Sequence, residues 1–404
     1  SSSRMRCGRP ALAWFSIPAI AWYFRQHGWQ GCRALAALWG YSPGEPLDEP
    51  SDGGQAEEEY FQKLEYQAFV DYFPVTRCSW DEVSAHHYGH FPGVALPNLF
   101  TRFDWFENHS DMAQYLPDYE FLVQTPSHRR SADPQTILVP GADVFDILEL
   151  AEREWGPGNR SIAFGGSDHL LSVEFGDNAS QRAQTAAALQ RYFRVILFEA
   201  KDIELDGVRA MPTGLVEYYL RRPFPDRMRQ AAASIQAAGI DENSKPRLVL
   251  AAWGAFSTRA EAPASCHPMD HACVSRRAAR AFASSDAARR AGVELRSIEK
   301  DYWWEELSTY KFLLSPIGGG MQSAKSIEAL LTLTVPIVPR GPAHNDLVDL
   351  GFPLALVDDW AETTAEATTR WWISLSPRLE SFRRNCLTTD GYWRMLTGEL
   401  QRCE

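Results

Sequence analysis

Residues 310–340 constrain the fold more than any other part of the chain. The apolar run 312–314 is short, is followed by Ser-Pro and is typical of a buried strand in a parallel sheet. Three glycines, 318–320, then allow a sharp bend or close approach to a ligand. Residues 321–331 carry apolar side chains at helical spacing, and 334–338 form the next short strand. The stretch predicts a βαβ unit whose glycines lie at the carboxyl end of a strand, where open sheets bind ligands and a helix amino terminus favours phosphate.

The residues around the glycines narrow this interpretation. Ser-Pro-x-Gly-x-Gly, then Glu-Ala-Leu and then Pro-Ile-Val, resembles the exostosin-like glycosyltransferases. The resemblance covers residues 301–360 clearly and 160–260 less strongly. Its matching positions are Ser315, Pro316, Gly318, Gly320, Glu328, Ala329, Leu330, Pro336, Val357, Asp358, Asp359 and Trp360.

The resemblance implies an α/β, GT-B-like fold: two Rossmann-like domains facing a cleft, with a C-terminal helix packing back on the first domain. Composition and the resemblance together divide the chain into five segments. They are an apolar, candidate signal-anchor segment (1–43), a Pro- and acid-rich linker (44–58), an acceptor domain (59–240), a nucleotide-sugar domain (241–364) and a C-terminal helical region (365–404).

Hydrophobic periodicity predicts further elements between these boundaries. The expected strands are 119–123, 136–140, 160–164, 194–198, 247–252, 293–298 and 354–356. The expected helices are 142–154, 177–191, 226–238, 275–290 and 303–310, with a last helical region at 365–399.

The resemblance also implies a donor site. Glu328 would bind ribose or sugar hydroxyls of a nucleotide sugar, with a UDP-sugar as the expected co-substrate. Ser315 and the three glycines, Gly318, Gly319 and Gly320, would face its diphosphate. Arg259, after the strand 247–252, and Lys325 would pair with that diphosphate, although Arg259 is equally well read as a solvated side chain.

Three positions depart from the family pattern. The family usually has Arg at the position of Ile317, His at that of Ala324 and Arg at that of Lys325. Lys325 keeps the charge but loses the bidentate fork of Arg. A non-catalytic carbohydrate-binding or scaffold protein derived from a transferase is therefore the main rival. A third hypothesis is an α/β enzyme that uses a nucleotide without transferring sugar.

A second ligand-facing turn is expected after the strand 160–164. It contains Gly-Gly and ends in Asp168 and His169, a pattern that also resembles the family. Asp168 or Glu174 is the candidate general base that activates an acceptor hydroxyl, with His169 as alternative or helper. An Asx-type turn closed by Asp168 is an equally good interpretation of that residue. Relatives of this type invert the anomeric centre, and the expected reaction needs no metal.

Charge and cysteine content exclude some functions and leave others open. The net charge of −12 argues against a nucleic acid as partner and leaves a carbohydrate or glycoprotein acceptor open. Cys266 and Cys273 enclose two histidines, but usual zinc spacing is missing. A local disulfide or two free thiols is the preferred interpretation, so no metal site is predicted. Asp358 and Asp359 are expected to cap a helix rather than hold a metal.

The N-terminal region bears on localisation. Basic residues precede the apolar run 10–24, which is either the core of a single membrane anchor or a buried or surface-lying helix. Glycosylation acceptor patterns begin at Asn108, Asn159 and Asn178. Together they favour the Golgi or another secretory-pathway lumen, with a type II anchor as one option.

Overall fold

Two mainly parallel sheets carry the fold. A computed structural model describes residues 102–106, 128–165, 169–214, 234–235, 237–253, 266, 270–318 and 320–403. The predictions for 1–43, 44–58, 119–123, Asn108, Asp168, Arg259 and Gly319 lie outside these residues, as does most of 226–238. The α/β class with two mainly parallel sheets is confirmed.

The first sheet has the order β2-β1-β3-β4-β5-β6. Every neighbouring pair is parallel except β1 with β2 at one edge. Its strands are β1 (Trp105–Phe106), β2 (His128–Arg129), β3 (Thr136–Pro140), β4 (Arg160–Gly165), β5 (Phe193–Phe198) and β6 (Val208–Ala210). Its helices are α1 (Val144–Glu154), α2 (Leu171–Glu174) and α3 (Ala179–Gln190).

The second sheet has the order β11-β10-β9-β7-β8, and all its pairs are parallel. Its strands are β7 (Arg247–Ala251), β8 (Val293–Leu295), β9 (Tyr310–Leu314), β10 (Val335–Pro339) and β11 (Ala355–Val357). The helices of this half are α4 (His271–Ala283), α5 (Asp286–Arg290), α6 (Trp303–Ser308), α7 (Ala324–Leu331) and α8 (Pro342–Asp349). Helices α9 (Ala365–Cys386) and α10 (Thr389–Leu396) are the last two helices of the described residues.

Both faces of the first sheet are buried. Leu138, Ala163 and Leu197 belong to one apolar cluster, which they share with the second sheet and the last helices. Their neighbours Ile137 and Ile162 belong to another cluster on the opposite face. This explains why its strands read as continuous apolar runs, as buried parallel strands do.

The last helix packs against the first sheet. The rings of Phe103 and Trp393 lie edge to face with centroids 5.1 Å apart. The Ser161 hydroxyl on β4 donates to the carbonyl of Thr397, just after α10, at 2.9 Å. The buried Tyr392 hydroxyl donates to the carbonyl of Thr213 at 2.8 Å. These contacts hold α10 and the residues after it on the first sheet.

Several predicted boundaries were wrong for local reasons. The helix predicted at 275–290 is two helices, because the Ser285 side chain accepts from the Ala288 N–H and caps a new one. In the same way, Thr388 caps α10 and separates it from α9. Tyr310, predicted in a helix, is the first residue of β9. The domain boundary at 240/241 falls between β6 and β7 and stays a prediction.

His344 on α8 makes folding sensitive to acid. Its ring is buried, its Nδ1 lies 2.8 Å from the Pro339 carbonyl oxygen, and burial lowers its pKa to about 4. Between pH 6.5 and 4 the unfolded chain binds the extra proton, so stability falls as the pH falls. We expect the free energy of unfolding to drop by about 2 kcal/mol more between pH 7 and 5 in the wild type than in His344→Gln. Urea titrations of both proteins at pH 7 and at pH 5 measure this difference. An equal drop in the free energy of unfolding in the two proteins would contradict it.

Candidate functional site

Residues 315–318 and 320–323, named the glycine turn here, lie at the switch point of the second sheet. From β7 the chain moves outward to β8, then returns to the other side of β7 to form β9 and continues to β10 and β11. The carboxyl ends of β7 and β9 therefore flank the position where the strand order reverses. Ligands of open α/β sheets bind at such positions. The glycine turn follows β9 directly, as the sequence predicts.

The glycine turn closes on itself before α7 begins. The Gly318 N–H donates to the Gln322 carbonyl oxygen at 2.8 Å, and a Cβ on Gly318 would lie only 2.6 Å from that oxygen. Met321 is left-handed, with φ of 64°. The helix predicted to start near Met321 therefore starts at Ala324, where the Ser323 hydroxyl accepts from the Lys325 N–H at 3.3 Å.

Glu328 lies one turn into α7 and is fully buried, with 0% of its surface exposed. Its Oε2 accepts from the indole N–H of Trp303 at 2.5 Å and lies 3.5 Å from Nζ of Lys325. Its Oε1 is buried and has no hydrogen-bond partner among the residues that the structure describes. A buried carboxylate oxygen without a partner is costly and marks either a strained site or a place for a ligand hydroxyl.

Lys325 and Ser315 are already engaged inside the protein. Nζ of Lys325 sits 3.6 Å from the centroid of the Trp303 ring, a cation–π contact beside its ion pair with Glu328. The Ser315 hydroxyl is 2.9 Å from that of Ser326 on α7. Ser315 therefore ties the turn to the helix, and about a quarter of the Lys325 side chain stays accessible to a ligand.

The structure brings His169 and Glu174 together. Nδ1 of His169 lies 2.7 Å from Oε1 of Glu174 across the single turn of α2. The His169 side chain is exposed, and Glu174 is mostly covered. In the tautomer that donates Nδ1–H to Glu174, Nε2 carries the lone pair that accepts a proton. The pair therefore has the arrangement of an oriented general base.

The end of β5 connects the two candidate regions. Its next two residues are Glu199 and Ala200. The carbonyl of Glu199 accepts from Nε2 of Gln322 in the glycine turn at 2.9 Å. The carbonyl of Ala200 accepts from the N–H of Leu171, the first residue of α2, at 3.1 Å. The glycine turn and the helix α2 that carries Glu174 are thus hydrogen-bonded to consecutive residues just after β5.

Sequence reasoning missed Glu199, Gln322 and Trp303. The Glu199 side chain is buried, and its Oε1 accepts from the Thr213 hydroxyl at 3.1 Å. Burial, and secondarily the charge on Glu199, raise the pKa of the Tyr392 hydroxyl. Glu199 directly follows the predicted strand 194–198. An acidic residue soon after a predicted strand was also the signal that singled out Asp168. Nothing in the sequence pattern marked Gln322 or Trp303, because their partners are distant in the chain.

A small cavity lies beside this region. It measures about 90 Å³ and is lined by parts of β5, β6, α8 and α10, including Arg209 and Asp346. Asp346 receives hydrogen bonds from Lys201 at 2.8 Å and from the Ala210 N–H at 2.6 Å. Ligand pockets are usually about 300 Å³ or more, so this space is too small for a nucleotide sugar.

The four cysteines in the described part of the chain form two disulfides. Cys266 and Cys273 are bonded, with Cα atoms 5.7 Å apart, which decides between the two sequence alternatives. Cys386 and Cys403, which the sequence did not pair, are bonded too, with Cα atoms 6.2 Å apart. Within the described ranges, no group of three or more His, Cys, Asp or Glu side chains is placed to hold a metal ion. Asp359 caps the 3₁₀ turn Trp360–Glu362, as predicted.

Comparisons with known proteins give no family for this chain. No protein-family model matches it, and no curated protein matches it. In the part of the chain that the structure describes, no helix has the length and apolar character needed to cross a bilayer. The function of this chain is therefore inferred from its sequence pattern and from the geometry of the glycine turn and the His169–Glu174 pair.

Proposed function

We propose that the protein is a GT-B-type glycosyltransferase that moves a sugar from a nucleotide-sugar donor to a carbohydrate or glycoprotein hydroxyl. One observation carries the proposal: the glycine turn and the His169–Glu174 pair are anchored on Glu199 and Ala200, next to each other at the end of β5. A donor phosphate at the glycine turn and an acceptor base are then held by one strand end. Direct displacement requires such neighbouring donor and base sites.

The donor would be held by α7 and the turn before it. The amino end of α7 and the accessible part of Lys325 offer positive charge to a diphosphate. Oε1 of Glu328, to which no described residue donates a hydrogen bond, offers an acceptor for a ribose or sugar hydroxyl. As the donor bond breaks, these groups take up the charge that develops on the leaving diphosphate. A UDP-sugar is the expected donor.

The acceptor would be activated from the first domain. Nε2 of His169 takes the proton of the acceptor hydroxyl, while Glu174 holds Nδ1 and stabilises the imidazolium that forms. The acceptor oxygen then attacks the anomeric carbon from the side opposite the diphosphate, and the configuration inverts. Asp168 stays a second candidate for this proton transfer.

The rival is a carbohydrate-binding or scaffold protein without turnover. The complete burial of Glu328 beneath Lys325 and Trp303 favours it, since a carboxylate in that position also serves to hold α6 against α7. The two functions differ in turnover and not in fold.

A ligand screen separates the two functions. Saturation-transfer NMR with UDP-, GDP- and CMP-sugars identifies the donor, and release of free nucleotide in the presence of oligosaccharide acceptors measures turnover. We expect a UDP-sugar to bind and to be consumed. Binding without any turnover would favour the rival, and no binding by any of the three classes would refute the proposal.

A secretory location, Golgi included, is part of the proposal. Two disulfides are typical of an oxidising compartment. The glycosylation acceptors Asn159 and Asn178 are exposed. Treatment of the secreted or lumenal protein with a glycosidase should therefore increase its gel mobility.

A further inference from the structure

Gln322 connects the glycine turn of the second domain to the first domain. Its Nε2 donates to the carbonyl oxygens of Glu199 at 2.9 Å and Met211 at 2.8 Å. Its Oε1 accepts from the N–H of Thr213 at 3.0 Å. The residue is only 5% exposed. Both N–H bonds of the amide and its carbonyl are thus satisfied by backbone groups that follow β5 and β6.

The same residue also closes the glycine turn. The main-chain carbonyl of Gln322 accepts from the N–H of Gly318 at 2.8 Å, and Met321, the residue before it, is left-handed. A left-handed non-glycine residue costs about 1 kcal/mol or more and persists only where surrounding contacts fix it. The three bonds of the Gln322 amide lie immediately next to that residue. These three bonds fix the position of Gln322, whose main-chain carbonyl closes the turn.

We propose that Gln322 is a positioning residue for the donor site: its amide, bound to the strand ends of the first domain, holds the glycine turn in the conformation that receives the donor diphosphate. This inference rests on the proposed function. Glutamine suits the position because two acceptors and one donor face its amide. A glutamate of the same shape would turn a carboxylate oxygen toward the carbonyls of Glu199 and Met211 and would lose both donated bonds.

Gln322→Glu tests the inference through hydrogen exchange in the ligand-free protein and through UDP-sugar affinity. We expect amide exchange at residues 318–323 to become about tenfold faster, while exchange in β9 and β10 stays unchanged. UDP-sugar affinity should fall about tenfold. Gln401→Glu is the matched control, because Nε2 of Gln401 donates to one nearby carbonyl, that of Gly398, and it should leave both measurements unchanged.

The outcomes separate the positioning role from other roles. Faster exchange throughout both sheets would show a general structural role and overturn the inference, as would unchanged exchange at 318–323. If Gln322→Glu does not fold, Gln322→Ala, which removes the amide without adding charge, takes its place in both measurements. A wild type that binds no nucleotide sugar would refute the proposed function and with it the donor role. In that case, faster exchange confined to residues 318–323 of Gln322→Glu would still show that Gln322 fixes the turn.

Discussion

Replacing Lys245 by alanine should lower the free energy of unfolding by about 4 kcal/mol. Lys245 is 1% exposed and lies in the connection between the two sheets. Its Nζ donates to the carbonyls of Ser308 at 2.7 Å and Thr332 at 2.8 Å, and to the Thr334 hydroxyl at 2.9 Å. These acceptors lie at the end of α6, after α7 and before β10. The alanine variant leaves them without this donor and opens a cavity.

Urea titration at pH 7 measures this loss. Lys311→Ala is the control, because Lys311 is only half-buried and its Nζ makes a long cation–π contact, 5.7 Å from the Trp372 ring. That control should cost about 1 kcal/mol or less. A loss below about 1 kcal/mol for Lys245→Ala would mean that the three hydrogen bonds add little to stability.

Glu328→Gln should weaken UDP-sugar binding about 100-fold, because a hydrogen bond from a ligand hydroxyl to a buried charged acceptor contributes about 1.5–3 kcal/mol. Glutamine keeps the shape of the side chain and an oxygen for the indole N–H of Trp303. It removes the negative charge and one of the two acceptor oxygens. Calorimetric titration with the UDP-sugar found in the ligand screen gives the two dissociation constants.

Glu380→Gln provides the control for charge removal from a helix. Glu380 lies on α9 and pairs with Arg384 at 2.5 Å on the surface. This variant should bind the donor as the wild type does. If Glu328→Gln also binds normally while remaining folded, Glu328 has a structural role and is not a donor ligand.

The sequence predicted the elements that depend on local pattern. Apolar runs and glycines placed β9 and the glycine turn correctly, because a buried parallel strand and a sharp turn leave their marks in consecutive residues. The βαβ pattern also placed the glycines at the carboxyl end of that strand, whereas the strand order that makes this end a switch point was not predicted. The helix break at Ser285 was missed, because one capping side chain outweighs the helical propensity of its alanine-rich neighbours.

The contacts between distant residues could not be predicted from pattern. Gln322 meets Glu199 and Thr213, more than 100 positions away, and nothing in its neighbours indicates this. Lys245 looks like a surface residue in a charged connection, but three distant oxygens make it a buried one. The long-range partners of a single polar side chain depend on the tertiary structure. Local patterns in one sequence therefore do not reveal them.

Hydrogen exchange of the wild type with and without a saturating UDP-sugar tests the central claim most directly, because it locates the ligand on the chain. We predict slower exchange at residues 320–328, where the glycine turn leads into α7. Protection confined to another part of the chain, or no protection with any nucleotide sugar, would contradict the account.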